Sequence, residues 1–124
     1  MTTMTRTRTR FEAADLRILA RYAAVDLKGA HAHDIIRWAA EAFGERVLVS
    51  QSMANTALAH LVHRVAPEIP VVFLDTGYHF EESLSTRDDL ARRTGLTILS
   101  ITPRQTVAEQ DAEHGPELWR TNPD

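Results

Sequence analysis

Apolar residues recur at helical spacing in the first third of the chain. Between residues 12 and 24, one face of a predicted helix carries Leu16, Leu19, Ala20 and Ala23. A second helix is predicted from Asp34, as its N-cap, to Phe43, with Gly44 just beyond its end. The buried side of this second helix is predicted to consist of Ile35, Ile36, Ala39 and Phe43.

From residue 47 onward, short β-branched runs alternate with longer amphipathic segments. The runs VLVS (47–50), VVFLD (71–75) and LTILSI (96–101) are typical of buried parallel strands. After Ser52, a candidate N-cap, helical spacing links Ala54, Ala57, Leu58, Leu61, Val62 and Val65. Residues 81–94 predict a helix that stops at Gly95 and buries Leu84, Leu90 and Ala91, and residues 104–112 predict a short one.

A strand–helix–strand–helix–strand order with short connections predicts parallel strands joined by right-handed crossovers. The expected fold class is therefore α/β, a parallel sheet of about three strands with flanking helices and two N-terminal helices. Three strands bury little surface and leave an exposed sheet edge, so the domain is expected to be incomplete. We therefore expect it to self-associate, as a homo-oligomer, or to need further polypeptide.

Composition narrows the function classes. Hydrophobic residues make up 44% and charged residues 25% of the chain, as in a globular protein, and the net charge of −3 gives no reason to expect a nucleic acid or membrane partner. The sequence has neither an apolar run long enough to span a bilayer nor the hydrophobic block of a secretory signal, so a cytoplasmic protein is expected. The absence of cysteine excludes thiolate nucleophiles and iron–sulfur clusters held by this chain alone.

Residues 1–10 carry three Thr-Arg pairs without apolar periodicity, and we expect a flexible basic arm there. An arm that binds anionic partners is the alternative. The α/β domain is expected to occupy residues 11–124.

Two loops should lie beyond the carboxyl ends of the strands, where open parallel sheets bind ligands. SQSMANT (50–56) joins a strand to a helix, whose free backbone N–H groups favour phosphate, and its hydroxyl groups add donors; alternatively, Ser52 merely caps the helix. In DTGYHF (75–80), Asp75 can accept hydrogen bonds from a ring amine, a ribose hydroxyl or the turn itself. Gly77 suits a positive φ, and backbone groups of Leu74 and Thr76 would lie near a nucleotide. Alternatively, residues 78–80 are only a packed turn.

The segments VFLDTGYHFEES, TRDDLA and ITPRQTVAEQDAEHGPELWRTNPD resemble the assimilatory adenylyl-sulfate and phosphoadenylyl-sulfate reductases, of the PP-loop adenine nucleotide α-hydrolase-like group. The resemblance covers residues 12–124. It implies a Rossmann-like domain that acts on adenylyl sulfate or phosphoadenylyl sulfate, with thioredoxin as the electron donor. It also implies that the full-length protein carries a [4Fe-4S] cluster, on cysteines that would follow Asn122 and Pro123.

The phosphate loop departs from that group's Ser-Gly-Gly-x-Asp-Ser pattern, because residues 51–56 read QSMANT, which argues against ATP pyrophosphatase activity. No catalytic or metal-binding residue is expected in this chain. The predicted nucleotide-binding residues are Ser50, Gln51, Ser52, Met53, Asn55, Thr56, Leu74, Asp75, Thr76 and Gly77. The alternatives are an adenine-nucleotide-binding module without catalysis and another PP-loop enzyme, such as an adenylyltransferase.

Overall fold

Three short parallel strands form the sheet of the structure, a computed structural model that describes residues 12–123. The strands are β1 (Val49–Ser50), β2 (Val71–Leu74) and β3 (Ile98–Ile101), and they lie side by side in chain order. Val71 of β2 is in register with Val49 on one side and Ile98 on the other. The predicted α/β class, with parallel strands, is confirmed.

Six helices accompany this sheet in the described residues. They are α1 (Ala13–Asp26), α2 (Ala32–Phe43), α3 (Ala57–Val65), α4 (Glu81–Thr94), α5 (Val107–His114) and α6 (Leu118–Thr121). The bounds of α4 agree with the prediction, because Gly95 ends the helix in the left-handed conformation that favours glycine. None of the helices within residues 12–123 combines the length and apolar character needed to cross a membrane.

The hydrophobic core lies on one face of the sheet. Consecutive parallel strands with right-handed crossovers place α3 and α4 on the same face. Phe73 and Val71 of β2 are fully buried, and they belong to one cluster with Val62 of α3 and Leu90 of α4. The rest of this cluster consists of Met53, Ala59, Ala66, Ile69 and Leu96.

The opposite face of the sheet is largely uncovered by the described residues. Side chains alternate between the two faces along a strand, so Val72, Leu74, Leu99 and Ile101 share this second face. Val72 is half-buried, but Leu74, Leu99 and Ile101 expose 56%, 46% and 51% of their surface. We call these four residues the open sheet face.

Helix α2 and strand β1 are among the elements whose boundaries differ from the predictions. Helix α2 begins at Ala32 rather than after Asp34, because the His31 carbonyl already accepts hydrogen bonds from Asp34 N and Ile35 N at 3.0 and 3.2 Å. Asp34 instead lies in the first turn, where a negative charge is favourable. Strand β1 has two paired residues rather than four, because its pairing with β2 begins only at Val49, whose N–H donates to the Pro70 carbonyl at 3.0 Å.

The predicted buried side of two helices also needs correction. In α2, Ile35 is exposed. In α3, Val62 is fully buried as predicted, but Leu58 is exposed and Ala59, outside the predicted face, is fully buried, so this helix is rotated relative to the prediction. The predicted basic arm, residues 1–10, lies outside the described residues.

Candidate functional site

The two predicted loops leave neighbouring strands at the same edge of the sheet. The loop of residues 51–56 follows β1, and the loop of residues 75–80 follows β2. Because β1 and β2 are adjacent and parallel, their carboxyl ends lie side by side. All ten predicted nucleotide-binding residues therefore belong to two neighbouring strand ends or the loops that follow them.

Gln51 organises the first loop from the end of β1. Its side chain is buried, and its Oε1 accepts a hydrogen bond from Ala59 N at 3.2 Å, in the first turn of α3. Its Nε2 donates to the carbonyl of Asn55. The predicted N-cap, Ser52, is therefore wrong: α3 begins at Ala57, and the Ser52 hydroxyl accepts only from Ala54 N, at 3.4 Å.

Met53 bends the first loop through an unusual backbone conformation. Its φ is +65°, in the region that side chains other than glycine rarely adopt, and its side chain is buried in the core. In the PP-loop pattern this position is a glycine. The chain therefore keeps a backbone shape that glycine favours, and it uses the side chain at this position for packing.

Polar groups of the first loop divide into two sets. The backbone N–H groups of Ala57 and Ala59, at the start of α3, already donate to Asn55 Oδ1 and to Gln51. By contrast, the side chains of Ser50 and Ser52 are exposed. A phosphate at this loop would therefore meet serine hydroxyl groups and would compete with Asn55 and Gln51 for those two amides.

Asp75 ties the second loop together. Its Oδ1 accepts a hydrogen bond from Gly77 N at 3.1 Å, and its backbone N–H donates to the Ile101 carbonyl at 2.9 Å. Its Oδ2 lies 3.7 Å from Nη1 of Arg87, which makes an ion pair without a hydrogen bond. Of the roles considered for Asp75, bonding within the turn is the one that the geometry shows.

His79 also contacts the protein interior. Its Nε2 donates to the Leu74 carbonyl at 2.9 Å, and its ring lies 4.8 Å from the Phe73 ring. The neighbouring residues Tyr78 and Phe80 are exposed. The histidine thus holds the end of β2, and the Leu74 side chain remains open to solvent beside it.

Gly77 is required by both its conformation and its surroundings. Its φ is +82°, as predicted for this position, and a Cβ atom there would lie 3.0 Å from Cγ2 of Val107. Helix α5 therefore packs against the turn. It begins at Val107 because Thr106 and Glu109 form a reciprocal capping box.

Arg87 also lies at this edge, although the sequence did not predict it as a site residue. It lies on α4, and its guanidinium reaches Asp75, Ser100 and the Phe73 ring. A signal was present, because Arg87 stands three residues after Leu84 and three before Leu90, on the inward face of the predicted helix.

The residues present do not fit the iron–sulfur cluster that the resemblance implies. Such clusters are held by cysteine thiolates, and the sequence has no cysteine. Within residues 12–123, no group of three His, Asp or Glu side chains is placed to hold a metal ion. His60 and His63, which have metal-ligand spacing, differ in exposure: His60 is exposed and His63 is half-buried.

Comparisons with known proteins point to one family. Residues 46–123 match the family model of the phosphoadenosine phosphosulfate reductase domain. An adenosine 5'-phosphosulfate reductase of Streptomyces coelicolor is 50% identical over 110 residues, which cover 89% of this chain and 47% of the relative. The protein of that name in Mycobacterium tuberculosis is 39% identical, over 93% of this chain and 52% of the relative.

A solved structure supports the fold. The crystal structure of a phosphoadenylyl-sulfate reductase from Candida auris, in a phosphate complex, superposes with a TM-score of 0.73 at 18% identity. The superposition covers 93% of this chain and 56% of that one. The chain thus spans about half the length of the curated relatives it matches. By the family match and this fold, the chain belongs to the phosphoadenosine phosphosulfate reductase domain family.

Proposed function

We propose that this chain is the nucleotide-binding part of a thioredoxin-dependent reductase of sulfate assimilation. The substrate would be adenylyl sulfate, reduced to sulfite and AMP, or phosphoadenylyl sulfate, reduced to sulfite and adenosine bisphosphate. The observation that carries the proposal is the pair of loops, 51–56 and 75–80, at one edge of a sheet in a chain of this family. Both similar bacterial proteins bear the name adenosine 5'-phosphosulfate reductase.

The two loops would divide the nucleotide between them. The exposed hydroxyls of Ser50 and Ser52 suit the phosphosulfate end of the ligand, because hydroxyl groups donate hydrogen bonds to anionic oxygens. The turn at Leu74–Gly77 would then receive the nucleoside end, where the exposed side chain of Leu74 offers an apolar surface to the base. The remaining predicted contacts are Gln51, Met53, Asn55, Thr56, Asp75 and Thr76.

The thiol chemistry needs residues that these 124 do not provide. In the proposed reaction a cysteine thiolate attacks the sulfate sulfur, AMP leaves, and a thiosulfonate forms on the protein. A thioredoxin dithiol then supplies two electrons, so that sulfite departs and thioredoxin becomes a disulfide. The sequence has no cysteine, so the chain alone binds nucleotide without reducing it. We propose that the reductase reaction takes place in the cytoplasm.

A chimera tests the proposal. The chain is joined to the remaining half of the Streptomyces coelicolor relative, and sulfite release is measured with adenylyl sulfate and reduced thioredoxin. We expect thioredoxin-dependent release from the chimera and none from the 124-residue chain. The same assay with phosphoadenylyl sulfate compares the two substrates. An inactive chimera beside an active Streptomyces parent would contradict the reductase proposal.

A nucleotide-binding module without catalysis is the second candidate, favoured by the absence of cysteine. Calorimetry of the 124-residue chain with AMP at millimolar concentration separates the outcomes. Binding of AMP together with an inactive chimera would favour the module. We also propose that the isolated chain self-associates, because its open sheet face is apolar.

A further inference from the structure

Arg87 connects three parts of the molecule at the edge of the candidate site. From α4, its Nη1 lies 3.7 Å from Oδ2 of Asp75 and donates to the Ser100 hydroxyl of β3 at 3.3 Å. Its guanidinium carbon stands 5.6 Å from the centre of the Phe73 ring. The side chains of Arg87 and Asp75 are only 21% and 23% exposed. The arginine therefore joins α4 to the ends of two strands.

Other arginines of the described residues make a different kind of contact. Arg37, Arg92 and Arg120 each pair with a carboxylate three residues earlier in the chain, and their side chains are more than half exposed. Exposed pairs of that kind contribute little to stability. Arg87 also bonds the neighbouring Asp88, from Nε at 3.0 Å, but it stands apart because its Nη1 reaches other elements and its side chain is only 21% exposed.

We propose that Arg87 is a positioning residue for the nucleotide site. This proposal rests on the proposed function. It holds the Asp75 carboxylate in the orientation that accepts the Gly77 N–H, and thereby sets the shape of the turn that faces the nucleoside. Its place between the Phe73 ring and Ser100 keeps the guanidinium from swinging into solvent. The ligand whose recognition depends on the contact between Arg87 and Asp75 is an adenine nucleotide.

The charge and the shape of arginine both enter this role. Without a cation beside it, a half-buried Asp75 carboxylate would turn toward water, and its hydrogen bond to Gly77 N would weaken. Lysine would restore the positive charge, but its single nitrogen could not bond Asp88, as Nε of Arg87 does at 3.0 Å, while also reaching Asp75 and Ser100, as Nη1 does. The backbone of Leu74–Gly77 would then be less well ordered for reading the edge of the base.

The test compares Arg87→Gln, Arg87→Lys and a control, Arg92→Gln, in the 124-residue chain. Calorimetry gives the affinities for AMP and inosine monophosphate, which differ on the base edge, where donor and acceptor positions are exchanged. We expect Arg87→Gln to lower the preference for AMP on the order of tenfold. Arg87→Lys should restore part of that preference, and Arg92→Gln should leave it unchanged.

A general loss of stability would lower the affinities for both nucleotides equally. An unchanged preference for AMP in Arg87→Gln would therefore overturn the inference. Amide exchange at Gly77 is a second measurement that needs no ligand. We expect faster exchange of this amide in Arg87→Gln, with the α3 amides unchanged. Equal exchange in the wild-type chain and Arg87→Gln would also overturn it. A wild-type chain that binds no nucleotide would contradict the proposed function, and the Gly77 exchange would still show whether Arg87 holds the turn.

Discussion

At the level of single residues, Gly77 joins the shape of the second loop to the packing of α5. Its amide is held by Asp75, its φ is positive, and Val107 stands where a side chain would begin. Gly95, at the end of α4, also has a positive φ, of +69°, but nothing lies within 4 Å of the place where its Cβ would be. A side chain at Gly95 would therefore cost stability only through the backbone conformation, whereas one at Gly77 would also cost stability through the contact with Val107.

Gly77→Ala should lower the free energy of unfolding more than Gly95→Ala does. Both substitutions place a side chain in the left-handed region, at a cost of about 1–2 kcal/mol. Only Gly77→Ala also forces Val107 to move. Urea unfolding of both variants measures the difference in unfolding free energy. When Val107→Ala is already present, Gly77→Ala should cost no more than Gly95→Ala does. Equal destabilisation by the two substitutions would show that α5 does not press on the turn.

At the level of elements, the first loop depends on a contact that crosses from a strand to a helix. Gln51 leaves β1, but its side chain accepts from the first turn of α3, eight residues away. The helix therefore begins where Gln51 can reach it, and Ser52 stays outside in solvent. Loop and helix form one unit that the end of β1 holds in place.

Replacement of Gln51 tests this unit. Gln51→Leu would leave the N–H of Ala59 and the carbonyl of Asn55 without their partner, at a cost of about 1–3 kcal/mol in unfolding free energy. Ser52→Ala is the control, and its effect should stay within about 0.5 kcal/mol. Chemical denaturation of both variants gives the comparison. If Ser52→Ala cost as much as Gln51→Leu, the serine would be the cap after all.

The sequence predicted what is local and missed what connects elements. The period of the apolar residues and Gly95 were sufficient for α4, and the predicted strand ends at Ser50 and Asp75 located both loops, although β2 ends one residue earlier, at Leu74. The cap from Gln51, the rotation of α3 and the contact of Arg87 with Asp75 all depend on packing between segments distant in the chain. Helical spacing alone does not encode that packing, which is why the prediction named Ser52 as the cap and gave Gln51 no such role.

At the level of the whole molecule, one side of the sheet is packed and the other is open. Helices α3 and α4 bury Val71 and Phe73, whereas Leu74, Leu99 and Ile101 of the open sheet face remain exposed. The sheet also ends in two edge strands, β1 and β3, whose outer backbone groups can pair with another chain. Burial of such apolar surface contributes roughly 25 cal/mol per Å², which favours association.

The isolated chain should therefore associate as its concentration rises, and light scattering should show an apparent mass that grows above that of the 13.9 kDa monomer. Leu99→Lys places a charge on the open sheet face, away from the candidate loops, and should shift association to higher concentration because the charge would have to be desolvated. Ile18→Lys is the matched control, because it also replaces an aliphatic side chain by lysine. Ile18 lies on α1 and is 54% exposed, which is similar to Leu99. A compact monomer at every concentration would contradict the association, and an equal effect of the two lysines would show that it does not use this face.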